Sequence, residues 1–372
     1  MPKRSPHLAQ RLKGKRVCVC LGAGGVGKTT TSAALAFALA ERGAKVAVVT
    51  IDPARRLAAA LGLGELSGEP RQIDPKLLAA EGLAPPGELW AMALDVKRTF
   101  DEIVTRLSPD ASSREEILAN PVYRELSSAV AGVQELGAIT KLYELYREHD
   151  FDVIVLDTPP SRNALDFLEA PENLLNFLEG RALKVFLAPG GLAARFLGRG
   201  TGLVFAIFAR VTGVDMLGEL STFFRSLSGI IDGFGERLRG VAELLRDPVT
   251  SFLLVTSPEP EPAREAVFLA GKLAAAGMVR DGVIINRVHL HGLDGHSVEE
   301  VQALLCTELE SSLARRAAHN LADFDVLVRR DRDTIARLRR ELTEPDPVIV
   351  PHLDEDIQDL AGLARIADYL FT

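Results

Sequence analysis

A chain of 372 residues, 47% hydrophobic and 25% charged, has the balance of a globular protein with a large buried core. Its net charge of −8 argues against a general nucleic-acid coat, which needs a basic face, while leaving room for a local basic site. Residues 1–15 are basic and polar with no apolar h-region of the signal-peptide kind behind them, since the apolar run after Lys15 leads into a glycine loop; no stretch is long and apolar enough to span a bilayer, and Cys18, Cys20 and Cys306 lack metal-ligand spacing. A reducing cytoplasm, no signal peptide and no zinc are therefore expected.

The first strand is predicted over Arg16–Leu21. It is β-branched or small and ends in glycines, with Cys18 and Cys20 on one face, where they cannot form a normal disulfide. Thr29–Arg42 reads as a helix closed by Gly43. Lys45–Thr50 and Leu89–Leu94 follow as strands, then Val153–Asp157, apolar throughout and so covered on both faces. Val185–Leu187, Phe252–Thr256, Val283–Asn286 and Val348–Val350 complete the set. Strands alternating with helical patterns predict an α/β fold, a mainly parallel, doubly wound sheet.

Two stretches break the alternation. Val96–His149 is helical in pattern, and Pro171–Asp247 is long, glycine-punctuated and apolar. Together they predict an inserted apolar helical subdomain, over about 96–149 and 171–247, within a single domain spanning 1–372. Within Leu197–Phe234, the residues Phe205, Phe208, Met216, Leu217, Leu220, Phe223 and Phe224 recur at helical spacing. That stripe reads either as core or as a groove for an apolar client. Ser297–Leu342 reads as solvated, charged helix.

The phosphate-binding pattern is Gly22-Ala23-Gly24-Gly25-Val26-Gly27-Lys28-Thr29, between a predicted strand and a predicted helix. Glycines let the backbone aim N–H groups at phosphates, and the helix start adds its positive dipole end. Gly22, Gly24, Gly25, Val26, Gly27, Lys28, Thr29 and Thr30 form the candidate phosphate site. Lys28 is expected on the β- and γ-phosphates of ATP and the Thr29 hydroxyl on Mg2+.

Asp52 follows the second strand, where a carboxylate can orient the attacking water or cap a helix ahead of Pro53. Asp157 ends the most apolar strand, the usual place for a carboxylate that supports magnesium. Asn286, followed by Arg287, can read an adenine edge or serve a turn. His289, His291, His296 and Asp294 form a histidine-rich stretch read as a surface loop, since no standard zinc spacing is present.

Taken together, these motifs resemble the arsenite-pump ATPase family. That family includes the ATPases that target tail-anchored membrane proteins, and it belongs to the deviant-Walker class of P-loop nucleoside triphosphatases, with the MinD-like and ParA-like proteins. GAGGVGKTTT resembles its phosphate loop, IDPARRLAAALG its switch I, LDTPPSRNALDFLEAP its switch II, IINR its adenine-reading segment, and VPHLDEDIQDLAGL the segment that places Pro351 near the adenine. The resemblance implies a dimeric Mg-ATP switch with Asp52 activating water and with helical insertions forming an apolar client groove.

The chain departs from the family at four points. Ala23 stands where the family's signature lysine is expected, and Arg55 replaces the switch I histidine. No paired-cysteine zinc motif and no arsenite-binding cysteine set are present. The first departure calls either for a lysine-bearing paralogue as partner or for a substitute such as Arg55 or Arg162. The rival readings are a MinD-like or ParA-like positioning ATPase and a nucleotide-sensing adaptor with weak hydrolysis.

Overall fold

The computed structural model describes residues 7–51, 56–129, 133–159, 164–180, 223, 225–344, 346–353, 357 and 359–371. The elements in chain order are α1 (His7–Arg11), β1 (Val17–Leu21), α2 (Lys28–Ala40), β2 (Lys45–Thr50), α3 (Arg56–Ala60), β3 (Arg71–Gln72), α4 (Pro75–Ala80) and β4 (Glu88–Ala93). Four helices follow, α5 (Val96–Leu107), α6 (Ala111–Ala119), α7 (Pro121–Ala129) and α8 (Val133–Glu148), then β5 (Val153–Asp157) and α9 (Ala164–Glu179). The rest are α10 (Ile231–Arg246), β6 (Thr250–Thr256), α11 (Pro260–Ala275), β7 (Arg280–Val288), α12 (Val298–Leu305), α13 (Ser311–Glu341), β8 (Val348–Pro351) and α14 (Leu360–Phe371).

The strands form an eight-stranded sheet in the order β3-β4-β2-β5-β1-β6-β7-β8. All the pairings are parallel except that of the two-residue edge strand β3 with β4. Side chains alternate across each strand, so both faces need cover. Cys18, Cys20, Val46, Val48 and Val155 meet α2 and α14 on one face. Val17, Val19, Val49, Ile154 and Leu156 meet α8, α10, α11 and α13 on the other. A mainly parallel sheet with helices on both faces is the architecture that the alternation of patterns predicts.

Register lines up the functional edge. Cys20 of β1 and Thr50 of β2 both stand opposite Asp157 of β5, so three strands end at one level. β1 lies between β5 and β6, where the chain order reverses direction across the sheet. Such a reversal opens a crevice at the strands' C-terminal ends.

The described residues of Val96–His149 fall mostly in the helices α5 to α8, as the pattern predicts. The predicted strand Val185–Leu187 and most of the apolar stripe, Phe205, Phe208, Met216, Leu217, Leu220 and Phe224 included, lie outside the described residues. Phe223 and Ile230 are buried in a small cluster with Val104, Ile117 and Tyr123.

Two sequence expectations need correcting. Asn286 does not end its strand, because β7 continues to Val288. The 31-residue α13 is not wholly solvated: Asp325 and Asp331 are buried and accept backbone N–H bonds from Leu293 and His289. The histidine-rich stretch is a surface loop, as read, with His291, Asp294 and His296 exposed. His289 anchors its start, with Nδ1 2.7 Å from Asp331 Oδ2 and its ring stacked on His352 at 5.2 Å.

Candidate nucleotide site

The loop between β1 and α2 carries the phosphate-binding pattern at the crevice. Gly22 leaves the sheet so close to β6 that a Cβ there would stand 1.9 Å from the Val255 carbonyl oxygen. Gly27, at φ 85°, caps α2 without a side-chain hydrogen bond, and a Cβ there would fall 2.4 Å from Asn286 Nδ2. The glycines at both positions thus answer to steric demands, and no side chain of Gly27 competes for the first N–H groups of α2. Uncapped N–H groups at a helix start attract anions.

Lys28 is 7% exposed and its Nζ donates to the carbonyls of Gly22 at 2.8 Å and Ala23 at 2.7 Å. The Thr29 hydroxyl donates to Asp157 Oδ2 at 2.7 Å, and the Thr50 hydroxyl donates to the same oxygen at 2.9 Å. Asp157 is fully buried. Thr158 turns its hydroxyl onto the Cys20 carbonyl at 2.7 Å. Burial pushes the Cys20 thiol up to about 12, with the nearby Asp157 carboxylate adding to the rise. The Cys18 thiol is raised the same way, so neither offers a thiolate.

A cleft of about 870 Å³ opens over this loop, within the range of small-ligand sites. Gly25, Gly27, Lys28, Thr29 and Thr30 line one end, and Asn286, Pro351, Leu353, Ile357 and Ile366 lend it an amide and apolar surface. Its charged lining is one-signed: Lys28, Arg56 and Arg287 face it, and no carboxylate does among the described residues. Asn286 Nδ2 donates to Val26 O at 2.8 Å, and Asn286 Oδ1 accepts from the Arg287 N–H at 3.0 Å.

Of the predicted site residues, Gly25, Gly27, Lys28, Thr29, Thr30, Asn286 and Pro351 line one cleft, with Asp157 bonded beneath Thr29. Gly24 is exposed on the loop and Val26 is buried under it. Asp52, with Arg55 and Arg162, lies outside the described residues. Ala23 is 6% exposed and packs into the core, so the chain carries no cation at that point. Thr50, Arg56 and His352 were not singled out from the sequence. Thr50 alone had a readable signal, its place at a strand end beside Asp52.

A parallel sheet whose first strand runs through a glycine loop into an uncapped helix defines a P-loop ATPase, and the chain binds and hydrolyses ATP. The pattern of the anion-transporting ATPase family, the ArsA type, matches residues 15–304. The chain belongs to that family.

Among its relatives, the protein assigned as arsenical pump-driving ATPase 1 of Aquifex aeolicus is 28% identical across 96% of this chain and 78% of its own. ATPase GET3A of Arabidopsis thaliana is 26% identical across 72% of this chain and 65% of its own. ATPase GET3 of Malassezia globosa is 31% identical across 42% of each.

Proposed function

We propose that this ATPase is a dimeric Mg-ATP switch, in which binding and hydrolysis of ATP change the arrangement of two subunits. The observation that carries the reading is the joining of Thr29 to Asp157 at the start of α2, beneath a cleft lined by the cations Lys28, Arg56 and Arg287 together with apolar side chains. The loop N–H groups and Lys28 hold the phosphates. Asn286 reads the adenine edge while Pro351 packs beside it. Asp52 positions the attacking water, since phosphoryl transfer asks mainly for orientation and charge stabilisation.

Thr29 and Asp157 would hold the magnesium ion. Their hydroxyl and carboxylate are hard oxygen donors, and Mg2+ takes few protein ligands. When bound, the ion neutralises charge on the phosphates.

The chain is read as one P-loop domain over 1–372 with helical insertions at about 96–149 and 171–247. The second insertion, apolar in sequence, is read as the part that takes an apolar client segment, in a cytoplasmic setting. Among the described residues no helix is long and apolar enough to cross a membrane. With Ala23 in place of the family's lysine, the partner is either a second copy of this chain or a lysine-bearing paralogue.

ATP turnover of the purified chain and of Asp52→Asn, with light scattering to follow mass, tests the reading. Turnover is expected to fall about 10²–10⁴-fold in the variant, with ATP still bound and with ATP driving assembly of the wild type. An Asp52→Asn protein that turns over like wild type would remove Asp52 from the mechanism. A chain that stays monomeric in Mg-ATP, turns over slowly, and is accelerated by a lysine-bearing paralogue would select the heterodimer.

A further inference from the structure

The ladder between β7 and β8 breaks where the cleft begins. Ile285 faces Ile349 and Val288 faces Pro351, so Asn286 and Arg287 together stand opposite a single residue of β8. Two residues against one is a β-bulge, a device that re-aims side chains and is rare in parallel pairs. Arg287 sits at φ 61°, in the left-handed region that a long side chain enters only at a conformational cost.

In a regular strand the side chains of Asn286 and Arg287 would leave on opposite faces. Here both reach the phosphate loop. Asn286 Nδ2 donates to Val26 O and Arg287 Nη1 donates to Gly25 O, each at 2.8 Å. Pairing with β8 then resumes, with the His352 N–H donating to Val288 O at 2.9 Å. Strain held at a bulge between two regular stretches points to function. Arg287 is exposed and lines the cleft, and its guanidinium is a planar fork with donors beyond the one that Gly25 takes.

We propose that Arg287 is a polyphosphate-binding residue that bridges the Gly25 carbonyl and the nucleotide's phosphates. The bulge then makes one reading unit of two neighbours: the amide of Asn286 for the base, the guanidinium of Arg287 for the phosphates. This adds to Lys28 a second cation for the phosphates in the subunit's own cleft, where the buried Ala23 of the loop supplies none. The inference rests on the nucleotide-site reading above.

Calorimetric titration of Mg-ATP into wild type, Arg287→Gly, Arg287→Lys and Lys28→Ala tests it, together with the Tm of each ligand-free protein. Glycine fits the left-handed backbone, so Arg287→Gly is expected to melt no lower than wild type. Its affinity for ATP is expected to drop by about tenfold to a hundredfold, the worth of hydrogen bonds to a charged group. Arg287→Lys, which keeps the charge, should recover part of that loss. An Arg287→Gly affinity indistinguishable from wild type would overturn the proposal. So would an Arg287→Lys no better than Arg287→Gly, which would leave the residue a loop scaffold only. Lys28→Ala separates the two levels: if it too binds ATP normally, the nucleotide-site reading has failed, whereas a loss there with Arg287→Gly unaffected sinks only the role of Arg287.

Discussion

Helices α2 and α8 cover opposite faces of the same sheet, and they are held there by different means. α2 is buried along most of its length through small and apolar side chains, Ala33, Ala34, Leu35, Ala36, Phe37 and Ala38. Close packing of that kind has one good arrangement. α8 also gives the sheet an apolar face, Ala138, Ile139, Leu142 and Leu145, but it buries charge as well. Lys141 and Glu144, each with a side chain 4% exposed, pair at 2.7 Å. Lys141 also reaches Glu102 of α5 at 3.2 Å, and Arg237 of α10 reaches Glu144 at 3.2 Å. The helix that carries Lys28 and Thr29 is thus fixed by shape, while the layer formed by α5, α8 and α10 is tied by ion pairs. The proposed switch would use both: a rigid cradle for the phosphates and a neighbouring layer held by charge.

The sharpest way to break that comparison is Lys141→Met. Removing Lys141 takes away the cation that Glu144 and Glu102 share and leaves Arg237 on the first and Arg98 on the second, so a loss of about 3 kcal/mol in denaturant unfolding, the low end for breaking a buried pair, is expected. ATP affinity of the folded variant should change little. A stability within error of wild type would mean that the ionic layer holds nothing in place.

Next in size is Asp157→Asn, which keeps the shape beneath Thr29 while removing the charge. The magnesium concentration needed for half-maximal turnover is expected to rise by about tenfold to a hundredfold, with the fold's Tm little changed. An unaltered magnesium requirement would take Asp157 out of the ion's shell.

Acid sharpens the contrast with a smaller effect. Burial raises the Glu102 carboxyl, but the Arg98 and Lys141 partners outweigh it, and the group is held below its usual range. Burial lowers Lys141, and its bonds to Glu144 and Glu102 more than reverse that. A depressed carboxyl contributes stability that is present above its ordinary value and lost as pH falls through the folded one. A raised lysine contributes stability that is lost only as pH climbs past about 10.4. Hydrogen exchange should therefore show α8 losing protection before α2 as pH drops below about 4.3. Simultaneous loss in both helices would contradict the difference. Smallest is Asp95→Ala at the start of α5, where the carboxylate accepts the Arg98 N–H at 2.9 Å. It should cost about 1 kcal/mol, seen as a lowered Tm.

Much of the sheet and the loop was legible because the signal was local. β2 and β5 run over the residues their patterns mark, Lys45–Thr50 and Val153–Asp157, since continuous apolar runs between polar breaks leave few alternatives. β3 was missed because two exposed residues carry no periodicity. The extension of β7 past Asn286 was hidden in a bulge that depends on the left-handed backbone of Arg287, a conformation that arginine does not advertise. The burial of Asp331 and Asp325 in α13 depends on backbone donors 42 and 32 residues away in the chain, which no reading of the helix alone reveals. Lys28 and Thr29 stood out by motif. Arg56 and His352 reach the same cleft only because α3 and the end of β8 converge on it in space.

The account stands most directly on Lys28. ATP binding and turnover of Lys28→Ala, measured beside wild type on protein of matched Tm, test whether the cleft above α2 is where the nucleotide sits. A loss of turnover of about 10²–10³-fold, the scale for removing a charge-stabilising donor, with weakened ATP binding, is the predicted result. A folded Lys28→Ala protein that binds and hydrolyses ATP as wild type does would place the chemistry elsewhere in the molecule.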